Sequence, residues 1–167
     1  MRNRHFLLSA MLLSAVGCSG GSDPPESSSA AAQWVLQLGG KLHVAGKTQE
    51  MKSSGDLPSG PYQIEKISLN ETKVKDDDLE KLAGLNSLRS LSLYRTEVGD
   101  NALTHIAAIP NLEELELSYT RVTDQGLLRL KDLKRLNKLH LYGTSGAVTD
   151  DGVKNLQQEC PKLKVYR

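Results

Sequence analysis

The sequence predicts an α/β solenoid, built by stacking copies of one short strand and one short helical segment. Three observations predict it. The first is self-similarity. Leu88, Leu91, Leu93, Thr96, Val98 and Asp100 return 24 residues later as Leu112, Leu115, Leu117, Thr120, Val122 and Asp124. The frame also fits Ile64, Ile67, Leu69, Thr72, Val74 and Asp76 upstream, and Leu136, Leu139, Leu141 and Thr144 downstream; two extra residues at about Ser145-Gly146 then shift it to Val148 and Asp150. A fixed period in the range of roughly 20–50 residues marks an array of stacked units. The second is alternation: Leu91 and Leu93 face inward from a short strand, so Ser92 and Tyr94 face outward. The third is a later apolar set, Leu103, Ile106 and Ile109, matched by Leu127, Leu130 and Leu133. Its three-residue step suits a short helix or 3₁₀ segment with one buried face. One such pair cannot enclose a core, but stacked copies cover each other's open sides.

These residues resemble the leucine-rich repeat family, in the 24-residue version found in ribonuclease-inhibitor-like and cysteine-containing repeat proteins. The resemblance covers residues 61–167 in four copies. It implies a curved solenoid with a parallel concave sheet and short convex helices. Such scaffolds bind proteins, peptides, glycans and lipids, so the resemblance specifies a shape and leaves the ligand open.

Before the repeats the chain falls into three stretches. Residues 1–17 read as an export signal, with a positive start at Met1–His5 and an apolar run from Phe6 to Val16 that is too short to span a bilayer. Ala15-Val16-Gly17-Cys18 resembles a bacterial lipobox, which implies cleavage before Cys18 and lipidation of its thiol. Several acyl chains there would anchor the protein stably, where one binds only marginally. With Ser19 following, the expected address is the cell envelope, at the outer membrane. Residues 18–31 (Ser-Gly-Gly-Ser-Asp-Pro-Pro-Glu-Ser-Ser-Ser-Ala-Ala after the cysteine) read as a flexible linker with little to bury. Residues 32–60 read as an N-terminal helix-strand cap and a loop. Ala32–Leu38 is an amphipathic helix stopped by Gly39-Gly40, Lys41–Val44 alternates as a strand, and Lys47–Gly60 is polar. Trp34, Val35 and Leu38 are expected to cover the first repeat.

Composition narrows the function. The 167 residues carry a formal net charge of +1, which becomes about −1 once Arg2 and Arg4 leave with the leader. No basic excess points to nucleic acid. If Cys18 is lipidated, Cys160 stands alone, so neither an internal disulfide nor a zinc-ligand set is available. Cys160 falls in a buried apolar position of the repeat.

Stacking turns equivalent positions into columns. Thr72, Thr96, Thr120 and Thr144 are expected to hydrogen-bond backbone at the turn leaving each strand. Asp76, Asp100, Asp124 and Asp150 precede the helical segments, where a carboxylate can accept backbone N–H groups as an N-cap. One Asp per repeat is too sparse for calcium, which needs six to eight converging oxygens. The outward sheet positions vary between repeats: Lys66, Ser68, Asn70; Ser90, Ser92, Tyr94; Glu114, Glu116, Ser118; Lys138, His140, Tyr142. A variable face on a rigid scaffold suits binding. Tyr94, Arg95, Glu114, Glu116, Tyr119, Lys138, His140 and Tyr142 are therefore the expected ligand-binding residues of the concave face. Tyr and Arg are enriched at interface hot spots. Glu114 and Glu116 should lie beside Lys138 and His140, as ion pairs rather than a metal site.

Nothing assembles a catalytic site. His43, His105 and His140 fall in different roles, and no Ser or Cys nucleophile is paired with a base. The expectation is a non-catalytic, exported, lipid-anchored module that needs no cofactor and binds a protein or envelope ligand. The alternative is a self-associating envelope scaffold. Its open edge would be the strand expected at Val165-Tyr166-Arg167.

Overall fold

The structure is a computed structural model, and it describes residues 25–144 and 147–167. The leader, Cys18 and the first part of the linker lie outside the described residues, as do Ser145 and Gly146.

The repeat becomes a sheet whose strands advance one copy at a time. β1 (Lys41–Val44) pairs antiparallel with β2 (Ile64–Ser68). β3 (Ser90–Ser92), β4 (Glu114–Glu116), β5 (Lys138–His140) and β6 (Lys164–Tyr166) then follow in parallel. Registers run Lys66↔Ser90, Ser90↔Glu114, Glu114↔Lys138 and Lys138↔Lys164. The frame read from the sequence is thus the pairing frame. The two extra residues are absorbed between β5 and β6.

On the other side of each strand lies a short helix. The first unit carries a 3₁₀ segment, Asp76–Leu82. The second carries α2 (Asp100–Ile106), and the third α3 (Asp124–Leu127), continued by a 3₁₀ turn at Leu128–Leu130. The fourth carries α4 (Asp150–Glu159). Between the two layers lies one aliphatic core. Leu69, Leu93, Leu117 and Leu141 form one buried ladder across it, and Val74, Val98, Val122 and Val148 another. Cys160 is buried among them; burial pushes its thiol pKa up, and its Sγ lies 3.4 Å from the Lys131 carbonyl.

The threonine column does what its position suggests. Each hydroxyl donates to the carbonyl three residues earlier: Thr72 to Leu69 (2.7 Å), Thr96 to Leu93 (2.7 Å), Thr120 to Leu117 (2.6 Å) and Thr144 to Leu141 (3.0 Å). That satisfies a carbonyl at the turn, where an unpaired buried acceptor would be costly.

The aspartate column differs from expectation. The N-cap positions belong to Lys75, Gly99, Thr123 and Thr149, one residue earlier. Three of the four carboxylates reach forward to the next unit. Asp76 accepts the Gly99 N–H (2.8 Å). Asp100 accepts both the N–H (2.8 Å) and the hydroxyl (2.7 Å) of Thr123. Asp124 accepts the same two groups of Thr149, at 2.8 and 2.6 Å. Asp150 is held by Arg167, which also donates to the Val148 carbonyl at 3.1 Å. The reason is geometric: a carboxylate in the first turn points along the stack, where the neighbour's first amides are unpaired donors. Thr123 and Thr149 in turn accept helix amides, from Gln125 and Gly152. Each threonine therefore links a carboxylate of one unit to the helix of the next.

α1 (Pro25–Gln37) begins earlier than the sequence reading. The linker expected over residues 18–31 is helical from Pro25 onward. Proline is suited to the first helical position, and Ala30-Ala-Ala32 has the highest helix propensity. Composition alone suggested a tether, but Ala31, Ala32 and Val35 are buried against the core. Trp34 and Leu38 are partly buried against it, with the Lys81 ammonium 5.2 Å from the Trp34 ring centroid. Gly40 makes the turn into β1 under tight constraint. A Cβ there would lie 2.8 Å from the Ser68 carbonyl and 2.9 Å from that of Val35. The polar loop after β1 returns at Met51, whose N–H and C=O both pair with Leu42 and whose side chain is buried.

Candidate functional site

Seven of the eight concave-face candidates fall into two groups, and Tyr142 stands apart from both. Glu114, Glu116, Lys138 and His140 meet on the outward face of β4 and β5. The Lys138 ammonium lies 4.0 Å from Glu114, and His140 lies 3.7 Å from Glu114 and 3.9 Å from Glu116. Glu116 also accepts the Ser118 N–H at 2.7 Å. These are exposed or half-buried pairs, each contributing about 0–1 kcal/mol. Among the described residues no group of three His, Cys, Asp or Glu side chains is arranged to hold a metal ion. His140 gains a partner the sequence did not flag: Tyr166 stacks on it with centroids 4.7 Å apart and planes 11° off parallel. The signal was present in the alternation of Lys164-Val165-Tyr166, which puts Tyr166 beside His140 once β6 pairs with β5.

Tyr94, Arg95 and Tyr119 form the second group, at the turn where the chain leaves each strand. The Tyr94 and Tyr119 rings meet edge to face at 5.5 Å and 84°. The Arg95 guanidinium lies 5.2 Å from the first centroid and 5.4 Å from the second. It also pairs with Glu71 at 3.3 Å. Both aromatic contacts fall within cation–π range. Tyr142 is 45% exposed, and its N–H donates to the Ser118 hydroxyl at 2.9 Å.

The backbone explains why this turn presents side chains outward. Glu71, Arg95, Tyr119 and Gly143 occupy one column, and all have positive φ: 58°, 53°, 58° and 61°. This conformation sends the N–H of Glu71, Arg95 and Tyr119 into the next unit, to the carbonyls of Tyr94, Ser118 and Tyr142. It costs a non-glycine residue roughly 1–2 kcal/mol. Only the last member of the column is glycine. The space its side chain would take is filled by the Tyr119 ring, whose Cε1 would lie 2.5 Å from a Cβ at position 143. Arg95, Glu97, Tyr119, Arg121 and Gly143 together line a shallow depression there.

No family model matches the chain, and no curated protein matches it. Among solved structures it is similar to a leucine-rich repeat protein of Leptospira interrogans, with 18% identity and a TM-score of 0.28. That match covers 53% of this chain and 33% of the other, so the matched region spans about a third of that protein's length. The class that this chain's own geometry defines is an α/β fold of leucine-rich repeated units, one sheet on one helical layer.

Proposed function

We propose that the chain is a non-catalytic leucine-rich-repeat solenoid, closed at its N-terminal end by α1 and β1, that binds a protein partner. The observation that carries this reading is the Tyr94–Arg95–Tyr119 cluster. Two residues of hot-spot type stand exposed in a backbone conformation that disfavours them, at positions where Gly143 relieves the same strain. The conformation itself serves stacking, since Glu71 shares it and all three N–H groups bond the next unit; what supports binding is the exposed aromatic–guanidinium cluster that it presents. Tyr142 and the charged group around His140 would extend the contact across the sheet. The export signal and lipobox-like Cys18 support anchoring to the bacterial envelope, at the outer membrane, with the repeats presented to a protein or another envelope component.

The test is proximity labelling in the native host, comparing the wild-type chain with an Arg95→Ala/Tyr119→Ala variant expressed to the same level. The expected result is one partner enriched by the wild type and lost in the variant. Equal labelling by both would remove the strand-exit cluster as the site. A Cys18→Ala variant followed by membrane fractionation checks the anchor, which predicts release from the membrane fraction.

A further inference from the structure

Residues 125–167 carry 9 Lys and Arg against 4 Asp and Glu, a net of +5 in a chain of net +1. Much of that excess sits on the rim where the chain turns into β5 and β6. One column of this rim runs Ser87, Asn111, Arg135 and Lys162, so charge enters it only at the third and fourth units. Lys131, Lys134, Arg135, Lys162 and Lys164 are exposed there, and none forms an ion pair among the described residues. Lys134 instead ties the two turns together, donating to the Lys131 and Glu159 carbonyls at 2.8 and 3.5 Å. The acidic side chains of the same turns are Asp132 and Glu159. Acids on the neighbouring strand entry are already engaged, Glu113 by Arg89 at 2.8 Å and Glu114 by Lys138 at 4.0 Å. Five cations against two carboxylates leave the rim at +3. This concentration works against the fold, since Lys138 and Lys164 are register partners and facing like charges are destabilising.

We infer that this basic rim rests on an anionic lipid surface, its ammonium and guanidinium groups against phosphodiester headgroups. The inference rests on the envelope anchoring proposed above, which supplies such a surface. Cys18 and the start of α1 at Pro25 are seven residues apart, a reach of at most about 25 Å. An anchor on Cys18 thus holds the repeats beside the lipid, and tethering lets a weak second contact count. Three uncompensated cations near an anionic surface correspond to about a hundredfold in partition. The contact also agrees with the Tyr94–Arg95–Tyr119 cluster. That cluster stands where the chain leaves its strands, and the basic turns stand where it enters them, so the two lie on opposite rims of the sheet. A molecule seated on the entry rim presents the exit rim away from the lipid, where a protein partner can meet it.

Vesicle flotation of the full chain over a range of lipid concentrations tests this. The vesicles are phosphatidylcholine alone, or equal parts phosphatidylcholine and phosphatidylglycerol. The chain is made by cell-free synthesis and carries no acyl group. Failure of the rim is therefore read here, and failure of the anchor separately, by fractionation of the Cys18→Ala variant. The apolar leader is common to every variant, so differences between variants report the repeats. Lys131→Glu/Arg135→Glu/Lys162→Glu reverses the rim, and Lys47→Glu/Lys73→Glu/Lys75→Glu makes the same change of net charge on exposed lysines elsewhere. On anionic vesicles at low salt, the rim variant should partition at least about tenfold more weakly than both the wild type and the control variant. The difference should vanish on neutral vesicles, and at about 1 M salt, where the screening length is about 3 Å. Circular dichroism confirms that all three are folded. Equal partition of rim variant and wild type on anionic vesicles overturns the inference. An equal loss in both variants also overturns it, because net charge rather than the rim would then be the cause. A rim variant that binds vesicles like the wild type but loses an acidic protein in proximity labelling overturns it too, and assigns the rim to that protein.

Discussion

The joint between the first and second units is built differently from the two that follow. At the first, Asp76 holds the next helix by one hydrogen bond, to the Gly99 amide. At the second and third, Asp100 and Asp124 each hold an amide and a hydroxyl, on Thr123 and Thr149. The third joint spans two residues more than the second, yet its bonds are equally short. The helices differ in step: α2 has Ala102 inside its first turn, where α3 and α4 have Gly126 and Gly152. Those glycines lie directly under the carboxylates of Asp100 and Asp124. The lesson is that carboxylate, threonine and glycine form one device spread over two copies, of which the first joint holds only part.

The largest expected effect comes from the glycine. In an isolated helix Gly126→Ala would be stabilising by about 1 kcal/mol. Here a Cβ would overlap Asp100 Oδ1, stand 2.8 Å from its Cγ and touch Leu103 Cδ1 at 3.0 Å. Moving the carboxylate breaks both bonds to Thr123. The expected outcome is a loss of about 3 kcal/mol in urea unfolding, opposite in sign to helix propensity. A neutral or stabilising result would mean that the carboxylate has somewhere else to go.

Removing the carboxylates should rank the joints. Asp100→Ala leaves the half-buried amide and hydroxyl of Thr123 without their acceptor and should cost about 2–3 kcal/mol. Asp76→Ala loses one bond to a glycine amide and should cost about 1 kcal/mol. Parallel denaturation of the two variants measures the difference, and equal losses would show that the hydroxyl bond adds nothing.

This device also marks where the sequence was legible. The leucine ladder and the threonine bonds follow from period and alternation, because each acts within one unit or at a fixed step along the sheet. The aspartates were visible as a column, but their acceptor role was misplaced: a first-turn Asp before a helix reads as a cap on its own helix. Only the stack reveals that its nearest donors lie 23 or 25 residues on. Tyr166 was hidden for a similar reason, since its ring partner is set by a register between strands. The early start of α1 was masked by a serine-rich composition, whose alanines are legible as core only once something packs on them. Among the candidates, alternation identified the charged group on the sheet. Arg95 and Tyr119 stand one position further on, presented by a left-handed turn that no periodicity specifies.

The smallest prediction completes the incomplete joint. Gly99 occupies the position of Thr123 and Thr149, with φ −124° and ψ −157°, an extended conformation open to any residue. A Cβ there would meet only Asp76 Oδ2 at 3.6 Å and the Arg121 carbonyl at 3.9 Å, both ordinary contacts. Gly99→Thr should therefore place a hydroxyl within reach of the free oxygen of Asp76 while accepting an N–H from the first turn of α2. Lower backbone entropy in the unfolded chain acts in the same direction. The expected gain is about 1 kcal/mol. In the Asp76→Ala background the carboxylate bond is gone and part of that gain should vanish, so a double-mutant cycle isolates it. If the gain survives intact without Asp76, the threonine acts as an N-cap alone, and the difference between the joints lies in the glycine.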